Sequence, residues 1–90
     1  MYKIGFTARF KKDFKKCQKH GLDISKLETA IEILRTEGCL PGFYKTHKLI
    51  GKYAGCLECH LQSDWLLVWQ QNDNELILLF MNTGSHSDLF

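Results

Sequence analysis

Ninety residues, 44% hydrophobic and 24% charged with a single proline, make one domain over 1–90 with a modest core and no room for a separate regulatory module. The longest apolar run, Leu76 to Met81, falls far short of the roughly 20 residues that span a bilayer, so no membrane role is expected. No signal-peptide core follows Met1, so the cytoplasm is the expected compartment and the four cysteines are expected as reduced thiols.

Tyr2, Ile4 and Phe6 alternate with Lys3 and Gly5, which predicts a short strand. Thr7 can cap a following helix whose apolar positions Phe10, Phe14 and Cys17 share one face, with Gly21 as its stop. His20, just before that glycine, suits the negative end of the helix dipole and is assigned no function. Ser25-Lys26-Leu27-Glu28 has the form of a capping box and opens a second helix with Leu27, Ile31 and Leu34 on one face, closed by Gly38 and Pro41. Cys39 to Gly51 reads as irregular. Strands are predicted over Lys52–Leu61, Trp65–Gln70 and Glu75–Met81, separated by the turn sequences Gln62-Ser63-Asp64 and Gln71-Asn72-Asp73-Asn74, with a tail after Gly84. The order β-α-α-β-β-β implies an α+β layer fold, a two-helix hairpin packed on a mainly antiparallel sheet.

Charge is distributed unevenly. Residues 1–20 hold seven Lys/Arg against one Asp (+6), and residues 21–90 hold five against nine Asp/Glu (−4). The basic run from Arg9 to Lys19 suits a phosphate backbone or an acidic protein partner, and equally a solvated helix face. Cys56-Leu57-Glu58-Cys59-His60 formally matches the haem-attachment pattern C-x-x-C-H. In a strand, however, residues three apart point to opposite faces, so the two sulfurs diverge. Neither a haem linkage, a zinc chelate nor a redox dithiol is expected from them.

Three of the four histidines lie in the second half: Thr46-His47-Lys48, Cys59-His60-Leu61 and Ser85-His86-Ser87. Strand alternation places His60 on one face with Cys56 and Glu58, opposite Leu57, Cys59 and Leu61, and so off the side that faces the helices. Asp64 in the hairpin, His86 in the tail and His47 in the preceding loop can converge on that side. Imidazole has an unperturbed pKa of about 6.5, so it gives or takes a proton near neutrality. Imidazoles beside a carboxylate suit RNA cleavage through the RNA's own 2′-hydroxyl. One group removes the 2′-OH proton and another protonates the leaving 5′-oxygen, without a metal or other cofactor. Trp65 or Phe90 could stack on a splayed base.

His47-Lys48-Leu49-x-Gly51-Lys52, Glu58-x-His60-x-x-x-Asp64-Trp65-Leu66-Leu67-Val68 and Thr83-Gly84-Ser85-His86-Ser87-Asp88-Leu89-Phe90 resemble the YafQ-like branch of the RelE toxin superfamily. The resemblance runs over the whole chain and implies that fold. It also implies a ribosome-dependent mRNA interferase of a type II toxin–antitoxin system, held inactive by a cognate antitoxin, with operator DNA bound through the antitoxin complex. The family's active-site positions map onto His47, His60, Asp64, Trp65, His86 and Phe90. His86 would be the principal acid/base group with His60 and Asp64 as partners, and His47 would contact phosphate or share in proton transfer. Trp65 and Phe90 would position the nucleotide.

Leu57 and Asn82 stand where family members usually carry arginine, a residue that would offset charge on the scissile phosphate. Lys45, Lys48 or Lys52 is the expected replacement, and a point charge is weaker there than a guanidinium fork. The departures imply lowered activity or, as the alternative, a non-catalytic member of the fold that binds antitoxin, operator DNA or ribosome without cutting.

Overall fold

A computed structural model describes residues 1–90. Five strands, β1 (Lys3–Phe6), β2 (His47–Lys48), β3 (Cys56–Gln62), β4 (Trp65–Asn72) and β5 (Ile77–Gly84), form one mixed sheet in the order β1-β5-β4-β3-β2. Helices α1 (Ala8–Lys19) and α2 (Ile24–Glu37) cover one face, and a single turn of helix, α3 (His86–Leu89), follows β5. The β-α-α-β-β-β order expected from the sequence is present. Strand β1 pairs with β5 in parallel, and the other pairings are antiparallel.

The differences lie where the chain makes short elements. Residues 47–48, in the stretch expected to be irregular, pair with Leu57 and Glu58 as an edge strand. The strand predicted over Lys52–Leu61 starts only at Cys56, because Gly51–Tyr53 is taken up by a 3-10 turn. The residues after Gly84, expected as a plain tail, close a capping box between Ser85 and Asp88 and become α3.

Helix α1 opens as expected, with the Thr7 hydroxyl accepting from the Phe10 amide at 3.0 Å. The start of α2 is a correction. Its cap is Asp23, whose Oδ1 accepts from the Ser25 amide at 3.1 Å and the Ser25 hydroxyl at 2.6 Å. Asp23 accepts both donors two residues upstream, so the Ser25–Glu28 pattern falls inside the first turn. Gly38 ends α2 at φ +75°, and a Cβ there would sit 2.7 Å from the Tyr2 hydroxyl oxygen, so this stop has no simple replacement.

Phe10, Cys17, Leu27, Ala30 and Leu34 from the helices meet Cys59, Leu61, Trp65, Leu67, Trp69, Leu78 and Phe80 from the sheet. Cys56, Leu66, Val68 and Leu89 form a smaller cluster. Alternation along β3 therefore sends Cys56 and Cys59 into different clusters, which is why they cannot act as a dithiol. Burial pushes the Cys59 thiol up to about 12, so that sulfur is chemically inert. The lysines of α1, at 11, 12, 15, 16 and 19, are all exposed. No helix is long and apolar enough to cross a membrane.

Trp65 ties the sheet together. Its indole is 2% exposed and Nε1 donates to the Thr83 hydroxyl at 2.9 Å, which in turn donates to the Leu66 carbonyl at 2.8 Å. Trp65→Ala should cost about 3–5 kcal/mol in urea unfolding, the range for truncating a large buried aromatic. Phe43→Ala, at a ring 74% exposed, should change stability by no more than about 0.5 kcal/mol.

Candidate active site

Four elements bring their side chains to one region. Strand β2 carries His47 directly opposite Glu58 of β3, and His60 stands two residues further along the same face of β3. A register shift between His60 and Gln62 bulges β3 just before the hairpin that carries Asp64. Helix α3 supplies His86, and Phe90 follows it.

The imidazoles form a row. Ring centroids of His47 and His60 are 6.3 Å apart, those of His60 and His86 6.2 Å, and those of His86 and Phe90 6.2 Å. His86 Nδ1 lies 3.2 Å from Asp64 Oδ1, and the His86 amide donates to the same oxygen at 3.1 Å. A carboxylate only accepts, so Nδ1 carries the proton and Nε2 is left free to exchange one. His47 Nδ1 lies 3.1 Å from the Lys45 carbonyl, which fixes its tautomer in the same way and turns Nε2 toward Glu58 Oε1 at 3.2 Å. Lys45 adopts a left-handed conformation, φ 53°, to present that carbonyl.

The Glu58 carboxylate is nearly buried, its side chain 4% exposed, while the His47 ring is 49% exposed. The side chains of His86 and Asp64 are 58% and 66% exposed. The site is thus an open surface row with one sunken carboxylate beneath it.

Helix α3 would not hold its shape alone, and neighbouring elements clamp it. Lys16 pairs with Asp88 at 2.9 Å, Arg9 Nη2 donates to the Asp88 carbonyl at 3.3 Å, and the Tyr53 hydroxyl donates to the Leu89 carbonyl at 3.2 Å. Tyr53 also meets the Phe90 ring edge-on, with centroids 5.1 Å apart, and Lys52 Nζ lies 5.9 Å over the Tyr53 ring. Gly84 makes the approach possible, because a Cβ there would stand 3.1 Å from both Cβ and Oδ2 of Asp88, at φ +155°.

A scan of family models matches residues 2–90 to the bacterial toxin of type II toxin–antitoxin systems, YafQ. The chain belongs to the YafQ toxin family. It is 34% identical to the mRNA interferase toxin YafQ of Escherichia coli K12 over 88 residues, 97% of this chain and 94% of that one. The crystal structure of the E. coli DinJ–YafQ toxin–antitoxin complex matches 99% of this chain and 97% of its own with a TM-score of 0.89 at 33% identity. That of a metal-bound toxin from Helicobacter pylori matches both chains over their whole length, with a TM-score of 0.90 at 40% identity.

Of the residues singled out in this toxin's sequence, His47, His60, Asp64, His86 and Phe90 come together, and Lys52 borders them through Tyr53. Two do not. Trp65, expected to stack on a base, is buried in the main core by its alternation with the neighbouring β4 residues and offers no face to a ligand. Lys48 stands opposite Leu57 in the β2–β3 pairing and lines a cavity with Leu34, Cys39 and Trp69, on the other side of the strand from His47. Leu57 packs against the main core, so that position too faces away from the imidazoles. Asn82 reaches Asp13 of α1 at 3.4 Å, and Asp13 is also bonded by Arg9 at 3.0 Å.

Sequence reasoning missed four residues. Glu58 shares the face of His60 by simple alternation, a signal that was available, although its pairing with His47 depends on a two-residue strand. Phe43 lines a groove with Lys45, His60 and Ser63, and no periodicity marks it. Tyr53 and Arg9 act at long range, through backbone carbonyls of α3.

Two carboxylates give the tail a pH limit. The His86 amide, and secondarily its ring, hold the Asp64 carboxyl below its ordinary range. The Lys16 ammonium, with Ser85 behind it, holds Asp88 down at about 2. A depressed folded-state pKa contributes stability above the unfolded value, about 3.9, that is lost as pH falls through the folded value. Docking of α3 should therefore be complete above about pH 5 and fail between about pH 4 and 2, seen as loss of the Ser85 and His86 amide positions in NMR spectra. Gly84→Ala should produce the same displacement at neutral pH with the core amides unmoved.

Proposed function

We propose that this toxin is a ribosome-dependent mRNA endonuclease that cuts through the message's own 2′-hydroxyl, without a metal, and is held inactive by a cognate antitoxin protein. The row of three imidazoles with a carboxylate at each end carries the reading. Its E. coli relative YafQ is named an mRNA interferase toxin, and E. coli YafQ is also solved in a toxin–antitoxin complex with DinJ. The metal-bound H. pylori relative does not alter the scheme, since each step proposed here moves protons between side chains and RNA oxygens.

In this scheme one imidazole takes the 2′-OH proton, the 2′-oxygen attacks phosphorus, and a second imidazole protonates the departing 5′-oxygen. His86 is the principal group, because Asp64 fixes its tautomer and leaves Nε2 free. His60 is the neighbouring partner, 6.2 Å away between ring centroids. His47, backed by Glu58, contacts phosphate or shares in the transfer. Phe90 at one end of the row and Phe43 beside His60 are the exposed rings able to stack on bases, in place of Trp65. Lys52 and Arg9 supply positive charge near the tail. Operator DNA would be reached through the antitoxin complex. The same assignment implies a cytoplasmic site of action.

Primer extension on a defined mRNA in a reconstituted translation system tests the proposal. Wild type should give new A-site ends, and His86→Ala should lower their rate by about 10²–10⁴-fold, the usual contribution of a general acid or base. Asp64→Asn should cause a smaller loss with the fold intact. Phe43→Ala should cost about 10–100-fold, as base stacking of about 1–3 kcal/mol implies. Translation arrest without new ends would instead make the protein a non-catalytic ribosome binder.

A further inference from the structure

Glu58 pairs with Val68 and Val68 with Asn82, so these three side chains share one face of the sheet, the face that carries the imidazole row. Strand β1 accompanies β5 only as far as Phe80, and the start of α1 lies along the edge beyond it. There the Thr7 hydroxyl donates to the Met81 carbonyl at 3.0 Å. Asp13, 8% exposed, is the meeting point of the two elements. Its Oδ2 accepts from the Thr83 amide at 3.2 Å and from Asn82 Nδ2 at 3.4 Å, while its Oδ1 accepts from Arg9 Nε at 3.0 Å. Arg9 Nη2 then reaches the Asp88 carbonyl at 3.3 Å, next to the Leu89 carbonyl that Tyr53 holds. A guanidinium has five N–H groups, and only these two of Arg9 have a protein partner. The side chain is 57% exposed, so the other three are open to solvent beside the tail.

We propose that Arg9 binds the RNA backbone, gripping the phosphate of the nucleotide stacked on Phe90 and so flanking the phosphate that is cut. Its part in the reaction rests on the ribonuclease reading above; the phosphate contact stands without it. Two anchors fix the fork before a substrate arrives, so little side-chain freedom is left to lose on binding. The free N–H groups are planar paired donors, a match for phosphate oxygens. Asp13 is nearly buried and shares its charge with the Thr83 amide and Asn82, so the open side of the guanidinium stays positive. Tyr53 places this fork beside the Phe90 ring, 5.1 Å from its own, and Lys52 brings a second cation over the same phenol. Position 82, on the site face and bonded to the same carboxylate, carries no charge, and the cation enters from α1 instead. A flanking phosphate keeps its charge while the scissile one reacts between His60 and His86. Arg9 therefore holds substrate and transition state equally, which lowers KM without raising kcat.

The test measures cleavage in the reconstituted translation system over a range of ribosome–message concentrations. Arg9→Gln should raise KM by about tenfold or more, as loss of a charged hydrogen-bonded contact implies, with kcat within about threefold. Asn82→Arg added to Arg9→Gln should return KM toward the wild-type value, because a guanidinium there reaches the same carboxylate from the same face. A fall in kcat at unchanged KM, or a KM that Asn82→Arg leaves unrestored, would overturn the proposal and leave Arg9 as a clamp on α3. A second measurement does not need cutting: the salt dependence of binding between the full chain and a fluorescein-labelled single-stranded RNA. Each phosphate contact adds about 0.7 to the slope of log affinity against log salt. Arg9→Gln should reduce the slope by about that amount, and Lys26→Gln, on the exposed surface of α2, should leave it unchanged. An unchanged slope in Arg9→Gln would overturn the phosphate contact. A reduced slope in a protein that never yields new RNA ends would sink the ribonuclease reading and leave the contact standing.

Discussion

The docking of residues 85–90 against the rest of the molecule is the interaction on which the site depends. Four residues of helix cannot persist in water on their own, since helix nucleation costs more than one turn returns. Here the turn is held from outside at each end. Asp64 takes its first amide, Lys16 takes its acidic side chain, and Arg9 and Tyr53 take its last carbonyls. Leu89 then adds an apolar anchor beside Cys56, Leu66 and Val68. Without those contacts His86 would be a histidine on a free tail. With them its Nδ1 is committed to Asp64 and its ring sits in line with His60. The charged contacts are exposed and individually weak, so their effect is to orient the tail rather than to stabilise the fold.

Strand β3 divides the two tasks of the chain. Its odd positions, Leu57, Cys59 and Leu61, turn to the helices and fill the core, while Glu58 and His60 turn to the site. A one-residue slip would bury the imidazole and expose the core, so register and chemistry are fixed by the same hydrophobic pattern. The bulge between His60 and Gln62 then resets the alternation before the hairpin. Asp64 is thereby presented at the rim while the next residue, Trp65, enters the core.

These periodicities explain what could be read from the sequence. The strand–helix–helix–strands order, the buried faces around Phe10, Leu27 and Leu34, and the divergence of Cys56 from Cys59 all follow from repeats of 3.6 and 2. The meeting of His47, His60, Asp64 and His86 was legible because each sits at an element end on one side of the sheet. Trp65 misled because an aromatic next to a candidate acid looks like a stacking platform, whereas its parity in β4 commits it inward. Lys48 misled by the same parity, one residue from His47. Strand β2, Tyr53 and Arg9 left no local trace, since a two-residue strand has no period and the two side chains reach carbonyls 36 and 79 residues away; α3 left only the Ser85-x-x-Asp88 cap pattern, with no period behind it. Glu58 lies between these cases, with its face predictable and its cross-strand partner not.

The shape of the site bears on why the proposed cut is assigned to a ribosome-bound message. Acid/base groups alone do not hold a substrate. Much of a catalyst's effect comes from fixing the reacting atoms in line, and the geometry must be good to a fraction of an ångström. Here the imidazoles of His47 and His86 and the ring of Phe90 stand on an open surface. A free RNA would meet this row in many orientations and be turned over from few. A message already splayed and clamped in a decoding site would arrive with its 2′-hydroxyl and scissile phosphate in a single arrangement. The chain would then have to supply only the proton transfers and a stacking ring. The exposed lysine face of α1 is suited to grip the phosphate-rich walls around such a site. On the proposed reading the openness of the site has a physical cause: the enclosure would be provided by the particle that holds the message.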